Sequence, residues 1–375
     1  MNICHLTSVH QSMDTRILIK ECQSLAKAGH SVTYIVPNAE TRMEHGVQIL
    51  GVEAKEEKPL NRMRKTTSAV FQKAVEVDAD VYHFHDPELM PIGLKLKKRG
   101  KTVIYDVHED LPQQIMSKQW IPGKLRKGIS FGSEKFERFA SKRFDAVVTA
   151  TPHINERFKT YNKNSITIHN YPLLNELMKD VEAEEKPAKD SNAFSVVYLG
   201  GIYLLRGIKE MIRSVEKVNE TTSAKFILGG SFAPPALHED VKEMSGWNHV
   251  DFRGYLDRAA VKDTLSEANA GLVLLHPEPR FIVSLPIKMF EYMSAGIPVI
   301  ASNFPLWKEI VESNNCGICV DPLNIDDVSK AMIWLKENPE KAKEMGENGR
   351  KAVEQYYNWD KESERLIALY EELVK

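Results

Sequence analysis

Cysteine is scarce: Cys4, Cys22, Cys316 and Cys319 are the only four in 375 residues, too few and too scattered for a disulfide framework. Cys316-Gly-Ile-Cys319 is formally C-x-x-C, yet it sits in an apolar strand pattern with no second pair to complete a zinc site, so it reads as packing. Long hydrophobic runs are missing as well. No window holds eighteen continuous apolar residues, and Met1-Asn-Ile-Cys-His-Leu6 has no basic leader, so a cytoplasmic chain that does not span a membrane is expected. Charge of one sign is also lacking: 50 Lys+Arg against 52 Asp+Glu leaves a formal −2, which argues against nucleic acid as a partner. Any partner has to be met by a local patch.

What is present is a length near two domains, with 42% hydrophobic and 27% charged residues, the balance of a globular protein. The first half alternates apolar runs with helical patterns. Strands are expected at residues 3–6, 32–36, 47–52, 81–84, 102–105, 146–149 and 166–168. A helix from about Thr15 to Ala28 is capped by Asp14 and ended by Gly29. This rhythm predicts a parallel sheet with helices on both faces, and such sheets bind ligands beyond the carboxyl ends of their strands.

Two of the loops at those ends carry chemistry: His83-Phe-His85-Asp86-Pro-Glu88, and Asp106-Val-His108-Glu109-Asp110. His83 and His85 would share one face of a strand, which suits a metal, although ligand types alone are a weak signal and hydrogen-bonded core histidines are the plainer reading. His108, just past a strand end, is the better candidate to face a substrate. Lys124 to Arg143 carries seven basic and two acidic residues, with Leu125, Ile129, Phe136 and Phe139 near helical spacing. It reads equally as a basic amphipathic helix meeting an anionic membrane and as a surface helix packed on its sheet.

Residues 173–192 are acidic and poor in core residues, and form the linker candidate. Domains are therefore expected at 1–172 and 193–357, with a closing helix over 358–375. The second set of strands is placed at 194–199, 225–228, 250–253, 271–275, 297–301 and 317–320. Its first strand ends in Gly200-Gly201, with Arg206 at the start of the next helix. Glycines let backbone approach phosphate, and a guanidinium binds phosphate oxygens in a fork. Residues 276–302 read as strand, loop, short helix and strand, with Ser284 as N-cap, Pro286 in the first turn and Gly296 closing the helix. Lys288 and Glu291 then share a face at i, i+3, and a cation with a carboxylate beside a helix start suits a nucleoside diphosphate.

Gly200-Gly201 to Arg206-Gly207, the run Lys288-Met-Phe-Glu291-Tyr-Met-Ser-Ala-Gly-Ile-Pro-Val-Ile-Ala-Ser302, and Asn348-Gly-Arg350 to Tyr357-Asn-Trp359 together resemble the family-4 retaining glycosyltransferases. Asp14-Thr-Arg16, His85-Asp86-Pro-Glu88 and Tyr105-Asp-Val-His108-Glu-Asp110 are similar to bacterial members that build surface polysaccharides. The resemblance spans nearly the whole chain. It implies a GT-B fold, in which two Rossmann-like, doubly wound α/β domains face an interdomain cleft. It also implies transfer of a sugar from a nucleotide-diphosphate donor, with retention and without a bound metal or other cofactor. A UDP-sugar is favoured over GDP-mannose, and the acceptor is a saccharide or lipid-linked. By the same resemblance Arg206 stands where the family has a lysine on the diphosphate, Lys288 is a second diphosphate cation, Glu291 binds ribose and His108 touches the transferred sugar. Asp14, Arg16, His85 and Asp86 fall on the acceptor side, and a helix from about Trp359 crosses back onto the first domain. Peripheral contact with the inner face of the cell membrane would run through Lys124–Arg143.

Three positions depart from the family pattern. Val283 stands where a sugar-binding glutamate is usual, so backbone N–H groups of Phe281, Ile282 and Val283, ahead of Ser284, are expected to hold the donor sugar. Gly201 replaces an arginine, which raises the importance of Lys288. The loop Ser8-Val-His10-Gln-Ser-Met-Asp14 lacks the common glycine pair. A UDP-sugar 2-epimerase of the same fold, a metal-dependent hydrolase using His83, His85, Asp86 and His108, and a non-catalytic nucleotide-sugar sensor remain alternatives.

Overall fold

The computed structural model describes residues 1–54, 59–117, 121–174, 176–177 and 194–374. The chain divides into two compact units, Met1–Asn170 with Trp359–Lys375, and Tyr171–Asn358. The linker expected at 173–192 lies mostly outside the described residues. Of its described members, Leu177 is buried in the core of the second unit and Glu176 pairs with Arg258.

The first unit holds an eight-stranded sheet among the described residues: β1 (Asn2–Leu6), β2 (Ser31–Pro37), β3 (Arg42–Glu44), β4 (Val47–Val52), β5 (Val81–Phe84), β6 (Thr102–Val107), β7 (Ala146–Thr149) and β8 (Ser165–Thr167). The order is β3-β4-β2-β1-β5-β6-β7-β8, parallel except for β3, which folds back on β4. Sequence reasoning passed over β3. Its signal is the two-residue turn His45-Gly46, both at positive φ, which the tight hairpin requires. Residues of β1 and β5 are almost wholly buried, as expected of strands covered on both faces.

The second unit holds six parallel strands, β9 (Phe194–Leu199), β10 (Ala224–Gly229), β11 (Val250–Gly254), β12 (Ala270–Val273), β13 (Val299–Ser302) and β14 (Gly317–Val320), in the order β11-β10-β9-β12-β13-β14. Each sheet reverses its strand order once, between β1 and β5 and between β9 and β12. Loops leaving those strands part there and leave a crevice. The first switch point gathers residues 7–14 and 85–88. The second gathers 200–207 and the segment following β12.

Two local features differ from the expected pattern. The helix after Asp14 is π-helical over Thr15–Cys22 and α-helical only over Gln23–Lys27. Asp14 O accepts from both Leu18 N (3.0 Å) and Ile19 N (3.3 Å), so the first turn is widened, and Arg16, Lys20 and Glu21 are all buried. Such wide turns are rare and are frequent at functional sites. The short helix before β13 spans Ile287–Ser294 with Pro286 as its N-cap, so Ser284 lies outside it. Ser284 Oγ instead donates to Phe281 O at 2.9 Å.

The closing helix, Trp359–Leu373, belongs to the first unit. Trp359 is buried and its Nε1 donates to Ser24 Oγ at 2.8 Å, while Glu362 accepts from the His169 N–H at 3.0 Å. Trp359→Ala removes a buried indole and should destabilise the first unit by about 3–5 kcal/mol, whereas Ser24→Ala, which loses one hydrogen bond, should cost about 1 kcal/mol. Denaturant midpoints of the two variants separate packing from hydrogen bonding as the source of docking.

Candidate functional site

At the switch point of the second unit, β9 ends in Tyr198-Leu199 and turns at Gly200, whose φ is 127°. The turn is backed by Gly230, where an added Cβ would lie 1.9 Å from Gly200 O, so the two loops meet backbone to backbone. Arg206 ends a single 3₁₀ turn, Leu204–Arg206, and its Nη1 donates to Gly201 O at 3.1 Å. From the other side Lys288 reaches in. Its Nζ donates to Tyr198 Oη at 3.2 Å and lies 4.5 Å from the centre of that ring. A Cβ at Gly200 would sit 3.2 Å from Lys288 Nζ, and one at Gly201 would sit 3.3 Å from Arg206 Nη1. The two cations thus flank the bare Gly200-Gly201 turn, and neither forms an ion pair among the described residues. Desolvation lowers the Lys288 pKa, the Tyr198 hydroxyl opposes this, and Arg206 pushes further down.

Glu291, one helical turn after Lys288, is not free. Its Oε1 accepts from Arg258 Nη1 at 2.7 Å, and Arg258 also grips Glu176 through Nε and Nη2 at 2.7 and 2.8 Å. Tyr198 and Arg258 are additions that sequence reasoning missed. Arg258 opens the helix after β11, at the same carboxyl edge, and that position was the available signal. The backbone proposed to hold a sugar is altered too. Residues 279–282 form one helical turn, in which Phe281 N and Ile282 N donate to Glu278 O at 2.8 and 3.1 Å and Ser284 N donates to Phe281 O at 3.1 Å. Of the three N–H groups expected to face a donor sugar, those of Phe281 and Ile282 are committed, and only that of Val283 keeps the expectation.

At the switch point of the first unit, His108 keeps about a fifth of its side chain exposed, and its Nε2 lies 3.2 Å from both Asp106 Oδ2 and His85 Nδ1. His10, to which the sequence reading gave no role, packs edge-on against it with ring centres 5.1 Å apart. Its Nδ1 lies 2.9 Å from Asp14 Oδ2. Burial lowers the His10 pKa, but the Asp14 hydrogen bond and the charge of Asp86 outweigh it, and the net direction is up. Asp14 also caps the π-helical turn, accepting from Arg16 N and Ile17 N at 2.9 Å each.

The other acceptor-side residues are committed inside the fold. Arg16 is buried and forks onto Asp106 through Nε and Nη2 at 3.1 and 3.0 Å, while its Nη1 donates to Ile168 O. Asp86 Oδ2 accepts from Thr7 Oγ1 and Ser8 N at 2.7 Å each, tying the loops after β1 and β5. His85 is buried between His5, His108 and Asp106. These residues shape the edge and do not face it, because the wide turn drives Arg16 inward and the Thr7–Ser8 loop claims Asp86. The hydrolase set is not gathered either, since His83 is fully buried against Tyr370.

The helix Gly123–Ser141 buries only Glu137, Ala140 and Ser141. Leu125, Ile129, Phe131, Phe136 and Phe139 are all exposed, so the inward-packed reading of this stripe fails. Arg143 covers the Phe139 ring at 3.6 Å and Lys135 that of Phe131 at 5.1 Å. Among the described residues no helix is long and apolar enough to cross a membrane.

Comparison with known proteins covers both units. Residues 15–170 match the family model for Glycosyltransferase Family 4, and residues 180–352 match that for glycosyl transferases group 1. The chain is 27% identical over 176 residues to an uncharacterized glycosyltransferase of Methanocaldococcus jannaschii, covering 47% of this chain and 44% of that one. It is 26% identical over 189 residues to a GDP-mannose-dependent alpha-(1-6)-phosphatidylinositol monomannoside mannosyltransferase of Mycobacterium tuberculosis, covering 49% and 47%. The matches therefore span less than half the length of these curated relatives. Among solved structures, a sucrose-phosphate synthase from Thermosynechococcus elongatus superposes with a TM-score of 0.78 at 18% identity, covering 100% of this chain and 99% of that one. Anabaena HepE in complex with UDP-glucose gives 0.74 at 15%, covering 100% and 99%. These likenesses show the fold, GT-B, with two Rossmann-like units.

If Arg16 is the internal counter-charge of Asp106, Arg16→Met should destabilise the first unit by about 3–5 kcal/mol, the usual cost of stripping one partner from a buried ion pair. A denaturation curve reads this directly, and an unchanged midpoint would return Arg16 to the acceptor surface.

Proposed function

We propose, from the premise that this chain belongs to the glycosyltransferases matched by its two halves, that it moves a sugar with retention from a nucleotide-diphosphate donor. The acceptor is a saccharide or lipid-linked, and the setting is surface-polysaccharide synthesis. The observation that carries this reading is the pair of unneutralised cations, Arg206 and Lys288, on either side of the bare Gly200-Gly201 turn. A departing diphosphate gathers negative charge as the glycosidic bond breaks, and fixed positive groups stabilise that charge without having to reorganise. Because these cations belong to the protein, the reading assigns no metal to the transfer step. Glu291, steadied by Arg258, takes ribose hydroxyls. His108, held by Asp106, faces the transferred sugar, and the diphosphate itself receives the acceptor proton. The mannosyltransferase relative is named for GDP-mannose and the HepE structure for UDP-glucose. We assign a UDP-sugar first, with GDP-mannose as the donor to beat.

The exposed apolar stripe of Gly123–Ser141, set among Lys124, Arg126, Lys127, Lys135, Arg138, Lys142 and Arg143, supports peripheral docking on an anionic membrane. Apolar side chains would enter the headgroup boundary while the cations meet lipid phosphate. On this reading the protein works in the cytoplasm, at the inner face of the membrane.

The test incubates the full chain with labelled UDP-sugars or GDP-mannose and a panel of glycoside and lipid-linked acceptors, and reads the product's anomeric configuration by NMR. Retained configuration is expected, with kcat lowered by about 10²–10³ in Arg206→Ala. Epimerised nucleotide sugar in the absence of acceptor would replace transfer with epimerisation. Nucleotide affinity should also weaken as pH rises through the lowered Lys288 pKa, since the ammonium loses its charge below the ordinary 10.5. Lys288→Arg, which stays charged, should flatten that alkaline decline in a titration of Kd against pH. For the membrane, Phe131→Ser with Phe139→Ser should abolish sedimentation with phosphatidylglycerol vesicles. Equal sedimentation with neutral phosphatidylcholine vesicles would contradict the electrostatic part of the proposal.

A further inference from the structure

The core of the first unit contains four ligand-type side chains that the transfer reading does not use. His5 on β1 and His83 on β5 are paired across the parallel register, and His85 follows His83 by two residues, so the three imidazoles lie on one side of the sheet. Their ring centres are 4.7, 5.2 and 4.9 Å apart. Glu21 arrives opposite them because the π-helical turn points it inward. All four are buried.

Each imidazole has one nitrogen held from outside and the other turned toward the group. Tyr370 Oη, from the closing helix, lies 2.7 Å from His83 Nδ1 and 3.2 Å from His5 Nε2. Asp106 Oδ2 lies 3.2 Å from His85 Nδ1. That leaves His5 Nδ1, His85 Nε2 and His83 Nε2. The first two are hydrogen-bonded to each other at 2.9 Å, each is 3.9 Å from Glu21 Oε2, and His83 Nε2 has no hydrogen-bond partner among the described residues. Neither oxygen of Glu21 accepts a hydrogen bond among the described residues, and its carboxyl lies against that of Asp106. Arg16 Nε is 3.0 Å from Glu21 Oε1, but its N–H is aimed at Asp106. One donor atom from each of the four residues falls within 4.8 Å of the other three.

We propose that His5, His83, His85 and Glu21 form a buried site for one divalent transition-metal ion, with Zn²⁺ the best match. Bonds of about 2.0–2.1 Å in a tetrahedron set donor atoms roughly 3.3 Å apart, a spacing bracketed by the 2.9 and 3.9 Å separations. Ligating histidines characteristically have their second nitrogen fixed by a carboxylate or another polar group, the role that Asp106 and Tyr370 fill here. A three-histidine, one-carboxylate set without cysteine suits zinc over calcium or magnesium, which take oxygen ligands. The second cluster, His85, Asp106 and His108, is a poorer candidate because Asp106 is already forked by Arg16. With no open side toward solvent the ion is structural. It fastens β1, β5, the π-helical turn and, through Tyr370, the closing helix, and so stiffens the frame behind His108. This inference is independent of the transfer reading.

The test uses untagged full-length protein purified without chelator, with zinc measured by mass spectrometry after gel filtration. Close to one zinc per chain is expected, retained in His45→Ala, a surface histidine control, and lost in Glu21→Gln and His83→Ala. Because those variants can misfold, a second measurement uses the wild type alone. It is unfolded with chelator, refolded metal-free and melted with and without added ZnCl₂, with an expected gain of about 5 °C or more. Cobalt loading should add ligand-field absorption of a tetrahedral centre. A metal-free preparation whose melting is indifferent to zinc would overturn the proposal. So would a zinc content unaffected by the Glu21 and His83 changes in variants that fold.

Discussion

At the switch point of one unit a buried cation is neutralised by carboxylates, and at that of the other two cations form no ion pair among the described residues. Arg16, deep in the first unit, is met by Asp106 in a two-bond fork with Glu21 close behind. Among the described residues Lys288 and Arg206 in the second unit are met by the Tyr198 phenol, a backbone carbonyl and the Tyr203 ring, with no carboxylate in an ion pair. A cation drawn out of water without a counter-charge costs free energy, and the lowered Lys288 pKa records that cost. Such an arrangement is retained where a ligand brings the missing anion. On the proposed reading the first pair holds structure together and the second meets a diphosphate.

The sheets decide where these charges can act. Each reverses its strand order once, and every residue assigned to chemistry leaves a strand at or beside that point: His10 after β1, His108 after β6, Gly200 after β9 and Lys288 beyond β12. Backbone approach is permitted at Gly200 because Gly230 backs it. Behind the His108 edge, the histidines of β1 and β5, Glu21 and Tyr370 form one connected buried group, so the closing helix is part of the frame that orients Asp106 and His108.

The parallel strands were legible in the sequence because buried parallel strands read as apolar runs bounded by glycine and polar turns, whereas the short antiparallel β3, Arg42-Met-Glu44, has no apolar run and was missed. Arg206 and Lys288 were legible for a related reason, since each sits at a fixed offset from a strand end and a helix start. What could not be read was commitment. Arg16 and Asp86 carry the residue types of a surface site, and only the π-helical turn and the Thr7–Ser8 loop show that both are occupied internally. Arg258 and Tyr198 escaped notice because their partners, Glu291 and Lys288, lie 33 and 90 residues away along the chain. The stripe on Gly123–Ser141 had two readings of equal sequence support, and exposure of its phenylalanines removes the inward-packed one.

The central claim is that the two free cations exist for a diphosphate. Calorimetric titration of the unmodified chain with uridine, UMP and UDP isolates that contribution, because the three share a base and ribose and differ in phosphate. Affinity should rise steeply from UMP to UDP and fall with salt. Equal affinity for UMP and UDP would contradict the account.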